Sequence, residues 1–183
     1  MAIEIEKKYR LTEEIRREIV ASLEEFGAEF IGEDTEVNSI FANKELVERN
    51  AVVRIRETQN RSILTFKRRL PSTSGAKEQV EFESEIADAV AIRSIIEAIG
   101  LKRAIVYEKR RRTYHFRKVE VVLDELPFGL FMEIEGPISA IAEAEMLLGV
   151  EDLEVVQETY PRMAVRFGIQ NGDAIECRFA LQK

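Results

Sequence analysis

The sequence predicts an α+β domain: an eight-stranded antiparallel β-barrel, a tunnel with a charged interior, with helices packed outside. Three observations predict it. The chain has 183 residues, 45% of them apolar and 33% charged, the make-up of a folded domain that buries more than half of its unfolded surface. Successive segments alternate apolar with charged residues at a period of two, the strand period. Helical stretches fall between or after blocks of such strands, an α+β order.

Each element has a local reason. Ile3, Ile5 and Tyr9 alternate with Glu4, Glu6 and Lys8, giving a first strand over 3–9. Thr12 caps a helix with Glu13 and Glu14 in its first turn, and Gly27 stops it. A second strand covers 28–42, and Asn43 to Asn50 is a polar turn or a short helical turn. Residues 51–58 and 62–69 form two strands joined at Gln59-Asn60-Arg61. The stretch 71–77 is the most loop-like in the chain, and a strand over 77–86 follows it. Asp88 caps a helix that runs to Ile99 and ends at Gly100.

The second half repeats the scheme. Residues 101–117 form a long strand, 118–125 pair back to it, and Pro127-Phe128-Gly129 turns the chain into a strand over 130–135. Ser139 is the expected cap of a helix to about Leu148, and 153–167 reads as a last helix interrupted by Pro161. No pattern assigns a structure to 168–183. The chain therefore divides into a tunnel domain over 1–167 and a C-terminal tail over 168–183.

Composition excludes several function classes. The net charge is −7, which argues against general nucleic-acid or acidic-membrane binding. The basic run over 109–112 resembles an RNA-binding patch, but overall acidity and the acids on neighbouring strands oppose that reading. A lone Cys177 can form no internal disulfide, and no zinc-ligand spacing is present. No apolar run reaches the roughly 18 residues of a membrane span. The first residues lack the basic start and apolar stretch of a signal peptide. The expectation is a cytoplasmic protein.

The informative feature is what alternates with what. Arg54 and Arg56 face away from Val53 and Ile55; Thr65, Lys67 and Arg69 from Leu64 and Phe66; Glu81, Glu83 and Glu85 from Val80 and Phe82. Asp124 opposes Val121 and Leu123, and Glu133 and Glu135 oppose Met132 and Ile134. If the apolar faces pack under the helices, closing eight strands puts the charged faces inside the barrel. About seven basic and eight acidic groups in a dry interior would be very costly, so the interior holds water, ions or a ligand. Carboxylates without Cys or His partners are hard oxygen ligands suited to Mg²⁺ or Mn²⁺. Clustered Arg and Lys suit a polyanion. Both chemistries together suit a metal–polyphosphate complex. No phosphate-binding loop of the GxxxxGK[ST] type is present, which excludes the P-loop enzymes.

The ordered set of charged elements resembles the CYTH superfamily, the triphosphate tunnel metalloenzymes. Glu4-x-Glu6-x-Lys8 matches its ExExK motif. Arg54-Ile55-Arg56, Leu64-Thr65-Phe66-Lys67, Glu81-x-Glu83, Lys109-x-Arg111, Leu123-Asp124-Glu125 and Phe131-Met132-Glu133-Ile134-Glu135 follow in order. The resemblance covers roughly residues 2–165. Its members include class IV adenylyl cyclases, thiamine triphosphatases, inorganic triphosphatases and RNA triphosphatases of the same tunnel type.

By matching position, the resemblance implies Glu4, Glu6, Glu133 and Glu135 as metal ligands for two Mg²⁺ or Mn²⁺ ions. Glu81, Glu83 and Asp124 would lie in or next to that acidic cluster. Lys8, Arg54, Arg56, Lys67, Lys109 and Arg111 would hold the phosphates, and the catalytic set would be Lys8, Glu4 and Glu6, with Lys8 helping to orient an attacking water. The charged run 108–112 leaves one register open, because Arg110 and Arg112 could point inward instead of Lys109 and Arg111. Arg69 and Glu85 continue inward faces or sit at the tunnel mouth, and His115 is a surface or rim residue.

The implied function is a metal-dependent triphosphate hydrolase. The alternatives are a class IV-type adenylyl cyclase, or a non-catalytic polyphosphate or nucleotide binder. The implied partner is a triphosphate-bearing small molecule (tripolyphosphate, ATP or thiamine triphosphate), with a homodimer as in the cyclase branch. Three departures bear on what else the site recognises. Val37-Asn38-Ser39-Ile40-Phe41 carries no Tyr, Lys77-Glu78-Gln79 stands where an Arg is frequent, and Thr159-Tyr160 stands for a closing Ser-Tyr pair.

Overall fold

The computed structural model describes residues 3–71 and 76–179. The first half runs β1 (Ile3–Leu11), α1 (Glu13–Glu25), β2 (Glu29–Ala42), α2 (Lys44–Glu48), β3 (Ala51–Glu57), β4 (Ser62–Arg69) and β5 (Lys77–Ile86). The second runs α3 (Ala89–Ala98), β6 (Lys102–Phe116), β7 (Val119–Leu126), β8 (Gly129–Glu135), α4 (Ile138–Leu148), α5 (Tyr160–Phe167), β9 (Ile169–Asn171) and β10 (Ala174–Cys177). The loop expected over 71–77 lies mostly outside the described residues, as does the end of the tail. Among the described residues no helix is long and apolar enough to cross a membrane.

The strand order is β2-β3-β4-β5-β1-β8-β7-β6, and β6 pairs back along β2, so eight strands ring round. Every pairing within the ring is antiparallel. The closing seam runs from Glu29 opposite His115 to Ala42 opposite Lys102. Ring closure matters physically because it leaves no free edge among these strands.

Capping places the helices. Thr12 Oγ1 accepts from the Ile15 amide at 3.2 Å, and Asp88 Oδ1 accepts from the Ala91 amide at 2.9 Å, so both expected caps form. Two expectations need correction. Ser139 lies inside α4, whose N-cap position is Pro137 with no side-chain cap. Pro161 does not interrupt a helix over 153–167 but opens one. It occupies the first turn of α5, where a missing amide needs no partner and the fixed φ suits the helix, and the chain before Tyr160 is not helical.

The outward faces carry the apolar core. Tyr9, Leu11, Val121, Leu123, Met132 and Ile134 pack beneath Ile19 and Leu23 of α1 and Ile141, Ala144 and Leu148 of α4. On the far side a smaller cluster of Phe41, Ile55 and Ile96 lies under α3. Residues 169–177, for which the sequence offered no pattern, form a hairpin. β10 adds parallel to β6 at Ile105–Tyr107, and β9 pairs with β10. Gly168 lets α5 turn into this hairpin, since a Cβ there would meet the Ala164 carbonyl at 2.6 Å and the Glu176 carbonyl at 2.8 Å.

The two ends of the ring differ. At one, Ile40, Tyr107, Leu126 and Phe131 meet Tyr160, Met163 and Ala164 of α5 and Cys177 of β10 in one buried apolar cluster. The segment leading into α5 is tied across that end. Val155 bridges to Tyr9, the Val156 amide donates to the Lys8 carbonyl at 2.7 Å, and Arg69 donates to the Gln157 side chain at 3.0 Å. At the other end Asp34, Glu83, Glu120 and His115 are open to solvent, their side chains 37–59% exposed. One end of the ring is thus packed with apolar side chains, and the other is charged and exposed.

Candidate functional site

Residues opposite one another in an antiparallel pair share a face, so the register identifies the inner wall. Glu4 lies opposite Gln79, Glu6 opposite Lys77 and Glu135, and Lys8 opposite Glu133. Lys67 lies opposite Glu81, Thr65 opposite both Glu83 and Arg54, and Arg56 opposite Asn38. Lys109 lies opposite Glu36, and Arg111 opposite Asp124. Every predicted site residue stands on this inner wall. Arg110 and Arg112 face out, where they pair with Glu125 and Glu33.

Acids concentrate on one half of the wall, where the buried Lys8 and Lys77 stand among them. β5, β1 and β8, adjacent in the ring, carry Glu4, Glu6, Glu81, Glu83, Glu133 and Glu135. Across from them β3, β2 and β6 carry Arg54, Arg56, Lys109 and Arg111, with Glu36 as their one buried carboxylate.

The deep part is a connected ion-pair network. Arg111 forks onto Asp124 at 2.7 and 2.6 Å and reaches Glu133 at 2.7 Å. Lys8 Nζ is 3.0 Å from Glu133 and sits 3.4 Å above the Tyr160 ring. Lys109 Nζ lies 3.2 Å from Glu36 and 3.5 Å from Asp124, and the Tyr160 hydroxyl donates to Asp124 at 2.9 Å. Burial pushes Glu133 up, but Lys8, Arg111 and Lys109 outweigh it and hold the carboxyl well below the usual range. Burial lowers Lys109, with the neighbouring Arg111 charge acting the same way.

Nearer the mouth, Lys67 pairs with Glu81 at 2.5 Å and Glu4 at 3.3 Å, and Gln79 donates to Glu4. Arg54 and Arg56 both reach Glu83, at 3.1 and 3.2 Å, and the Thr65 hydroxyl donates to it at 2.7 Å. Lys77 pairs with Glu6 at 3.1 Å. Burial drives Glu81 up to about 8 and Glu135 up to about 9, each aided by hydrogen bonding to Glu4. Burial also raises Glu4, but hydrogen bonds from Glu81 and Glu135 and the Lys67 charge bring it down to about 2. Burial takes Lys77 down to about 8.

Among the described residues no three His, Cys, Asp or Glu side chains stand in a ready-made metal cage. The donor chemistry fits one nevertheless. Glu4, Glu81 and Glu135 interact closely enough to shift one another's protonation, Glu81 and Glu135 upward and Glu4 downward, and a hard divalent cation can replace a proton that such a carboxyl cluster retains. Glu6 and Glu133, also predicted as ligands, are held by Lys77 and by Lys8 with Arg111. On the basic half, Arg54 Nε and Arg56 Nε are buried without an acceptor. The Nε atoms of Arg68, Arg93 and Arg112, off this wall, share that state, so what suits the wall to an anion is the convergence of Arg54, Arg56, Lys109 and Arg111 on one face.

Sequence reasoning missed Glu36, Asn38, Lys77, Gln79, Tyr107 and Tyr160 as inner-wall residues, whereas Thr65, read on the inward face with Lys67, is there. Period two from Glu81 could have found Gln79 and Lys77. Glu36 carried no such signal, because its wall depends on the long-range β2–β6 seam. A separate groove of about 440 Å³, lined by Leu46, Val53, Leu64, Phe66, Ile96 and Ile99, lies outside the ring and carries none of this chemistry.

The CYTH domain model matches residues 2–160 of the chain. No curated protein sequence matches. Among solved structures, the PH1012 protein of Pyrococcus horikoshii superposes with a TM-score of 0.76 at 24% identity, over 87% of this chain and 98% of that one. An adenylate cyclase candidate from Vibrio parahaemolyticus gives 0.71 at 19% identity, over 88% and 97%. An adenylyl cyclase candidate from Hippeastrum, described as having a dominant triphosphatase activity, gives 0.62 at 17% identity, over 87% and 93%.

Proposed function

The chain belongs to the CYTH domain family, and from that premise we propose that it is a divalent-metal-dependent triphosphate hydrolase working inside the charged ring. The observation that carries the reading is the inward convergence of Arg54, Arg56, Lys109 and Arg111 on a wall that faces the carboxylates of β5, β1 and β8 across the ring. A triphosphate chain would take the acceptor positions now missing on the guanidinium groups. Glu4, Glu81 and Glu135 would hold the cation, most simply Mg²⁺ or Mn²⁺, with Glu6 and Glu133 joining when their lysine and arginine partners turn to phosphate. The ion, when bound, supplies charge neutralisation and a positioned water.

This chain's own side chains do the rest. Arg111, fixed by two bonds to Asp124, and Lys109 orient the phosphate chain, because a guanidinium locked by one carboxylate has little freedom left to lose. Lys8 is held between Glu133 and the Tyr160 ring, deep in the ring, where its charge acts in a water-poor environment on the terminal phosphate and helps to orient the water that attacks it. The sealed end excludes bulk water from that side.

A cyclase reading uses the same groups, with the ATP 3′-hydroxyl in place of water, and similarity to adenylate cyclase candidates keeps it in view. Phosphorus NMR separates the two. Purified protein is incubated with tripolyphosphate or ATP, in Mg²⁺ and in Mn²⁺. Orthophosphate plus pyrophosphate from tripolyphosphate, with ATP little changed, is the expected result. Pyrophosphate plus a cyclic phosphodiester from ATP would overturn it in favour of the cyclase. Shifted resonances with no product would leave a polyphosphate-binding protein.

A further inference from the structure

Glu36 is out of place for a metal ligand. It sits on β2, directly across the ring from β1, whereas Glu4, Glu81 and Glu135 lie on β1 and its two neighbours. Its own neighbours are cations. Lys109 Nζ is 3.2 Å from Oε2, Arg56 NH1 is 3.6 Å from Oε1, and the Asn38 amide donates to Oε2 at 3.1 Å. The side chain is 4% exposed. The charges of Arg54 and Arg111 also act on it, so of the six side chains proposed to bind phosphate two pair with this carboxylate and two more attract it from beyond pairing distance. Even so, Arg54 Nε and Arg56 Nε keep no acceptor. A single carboxylate offers two oxygens to a set of donors built for more.

We infer that Glu36 is a built-in stand-in for a phosphate group, which neutralises the basic half of the empty tunnel and which an incoming triphosphate must outcompete. The inference rests on the tunnel being a polyphosphate site. Its consequence runs opposite to that of a metal ligand. A ligand's removal weakens binding of the metal–phosphate complex, whereas removing a competing anion strengthens phosphate binding in the absence of metal. Glu36 thereby raises the charge an anion must bring before it displaces the internal pair, and so favours polyphosphates over singly phosphorylated compounds.

The test is calorimetric titration of tripolyphosphate into the chain with EDTA present, comparing wild type with Glu36→Gln, which keeps shape and removes charge. At least tenfold tighter binding by the variant is expected. Equal or weaker binding overturns the inference. If Glu36→Gln does not fold, because Lys109 keeps only Asp124, Glu36→Asp withdraws the carboxylate by one methylene and should still tighten binding severalfold; no gain there overturns the inference too. Failure of the polyphosphate reading itself looks different: neither wild type nor variant would bind tripolyphosphate, with or without Mg²⁺.

Discussion

Lys7, Lys8 and Tyr9 are consecutive, and the strand period sends them to two environments. Lys8 enters the tunnel, while Lys7 and Tyr9 point outward to Glu145 of α4, at 2.8 Å from Nζ and 2.5 Å from the phenol hydroxyl. One helix carboxylate therefore fixes the strand whose other face carries Glu4, Glu6 and Lys8. Burial raises the Tyr9 phenol far above its ordinary 10.0, and donation to the Glu145 carboxylate raises it further. The folded state thus holds a proton that the unfolded chain releases from about pH 10 upward. Its contribution is complete below that pH and is lost as pH rises beyond it. Replacing Tyr9→Phe should reduce the fall in unfolding free energy between pH 10 and 11 by about 1 kcal/mol, roughly three quarters of a proton's worth, because the unfolded phenol is half deprotonated at the start of that interval. Urea melts across that interval measure it, and an unchanged slope would show that Tyr9 does not titrate with unfolding.

At the scale of elements, what could be read from sequence depended on length and on range. Strands of seven or more residues with clean alternation gave both their existence and their inner face, as at Val53–Arg56 and Met132–Glu135. The run Glu108–Arg112 gave existence only, since five successive charged residues satisfy either register. Asp124 on one neighbour and Glu36 on the other make Lys109 and Arg111 the inward pair. β9 and β10, of three and four residues, are too short for any period to show. Pro161 misled because proline ends helices more visibly in a sequence than it starts them. The cost of that misreading is functional, because α5 and the hairpin seal the tunnel. Met163 is 1% exposed in that seal, while Val165 on the same helix is 46% exposed. Met163→Ala should cost about 2–5 kcal/mol of stability and Val165→Ala no more than about 0.5. Equal losses in denaturant midpoint would mean that α5 is not packed into the ring.

For the whole molecule, closure and sealing together set the route to the site. Each of the eight strands is hydrogen-bonded to both neighbours, the shortest pairing in the ring being the four residue pairs of β1 with β5. One end is filled by Phe131, Met163, Ala164 and Leu126, all buried, and a phosphate chain cannot pass an apolar plug without shedding its water for nothing in return. Entry is left to the mouth, between Asp34, Glu83 and Glu120. A polyphosphate then enters end first, and whatever organic group it carries stays at the mouth. The terminal phosphate travels deepest, toward Lys8, Lys109 and Arg111. This geometry distinguishes ligands of equal phosphate count. Tripolyphosphate and a nucleoside triphosphate each have a free end, whereas a triphosphate capped by a nucleoside at both ends has none. In competition calorimetry with Mg²⁺ the doubly capped compound should bind at least a hundredfold more weakly than tripolyphosphate. Comparable affinity would mean that the plug opens or that the phosphates bind outside the ring. A Met163→Ala chain would separate these, since only an opening plug makes the doubly capped ligand's affinity depend on the packing of α5.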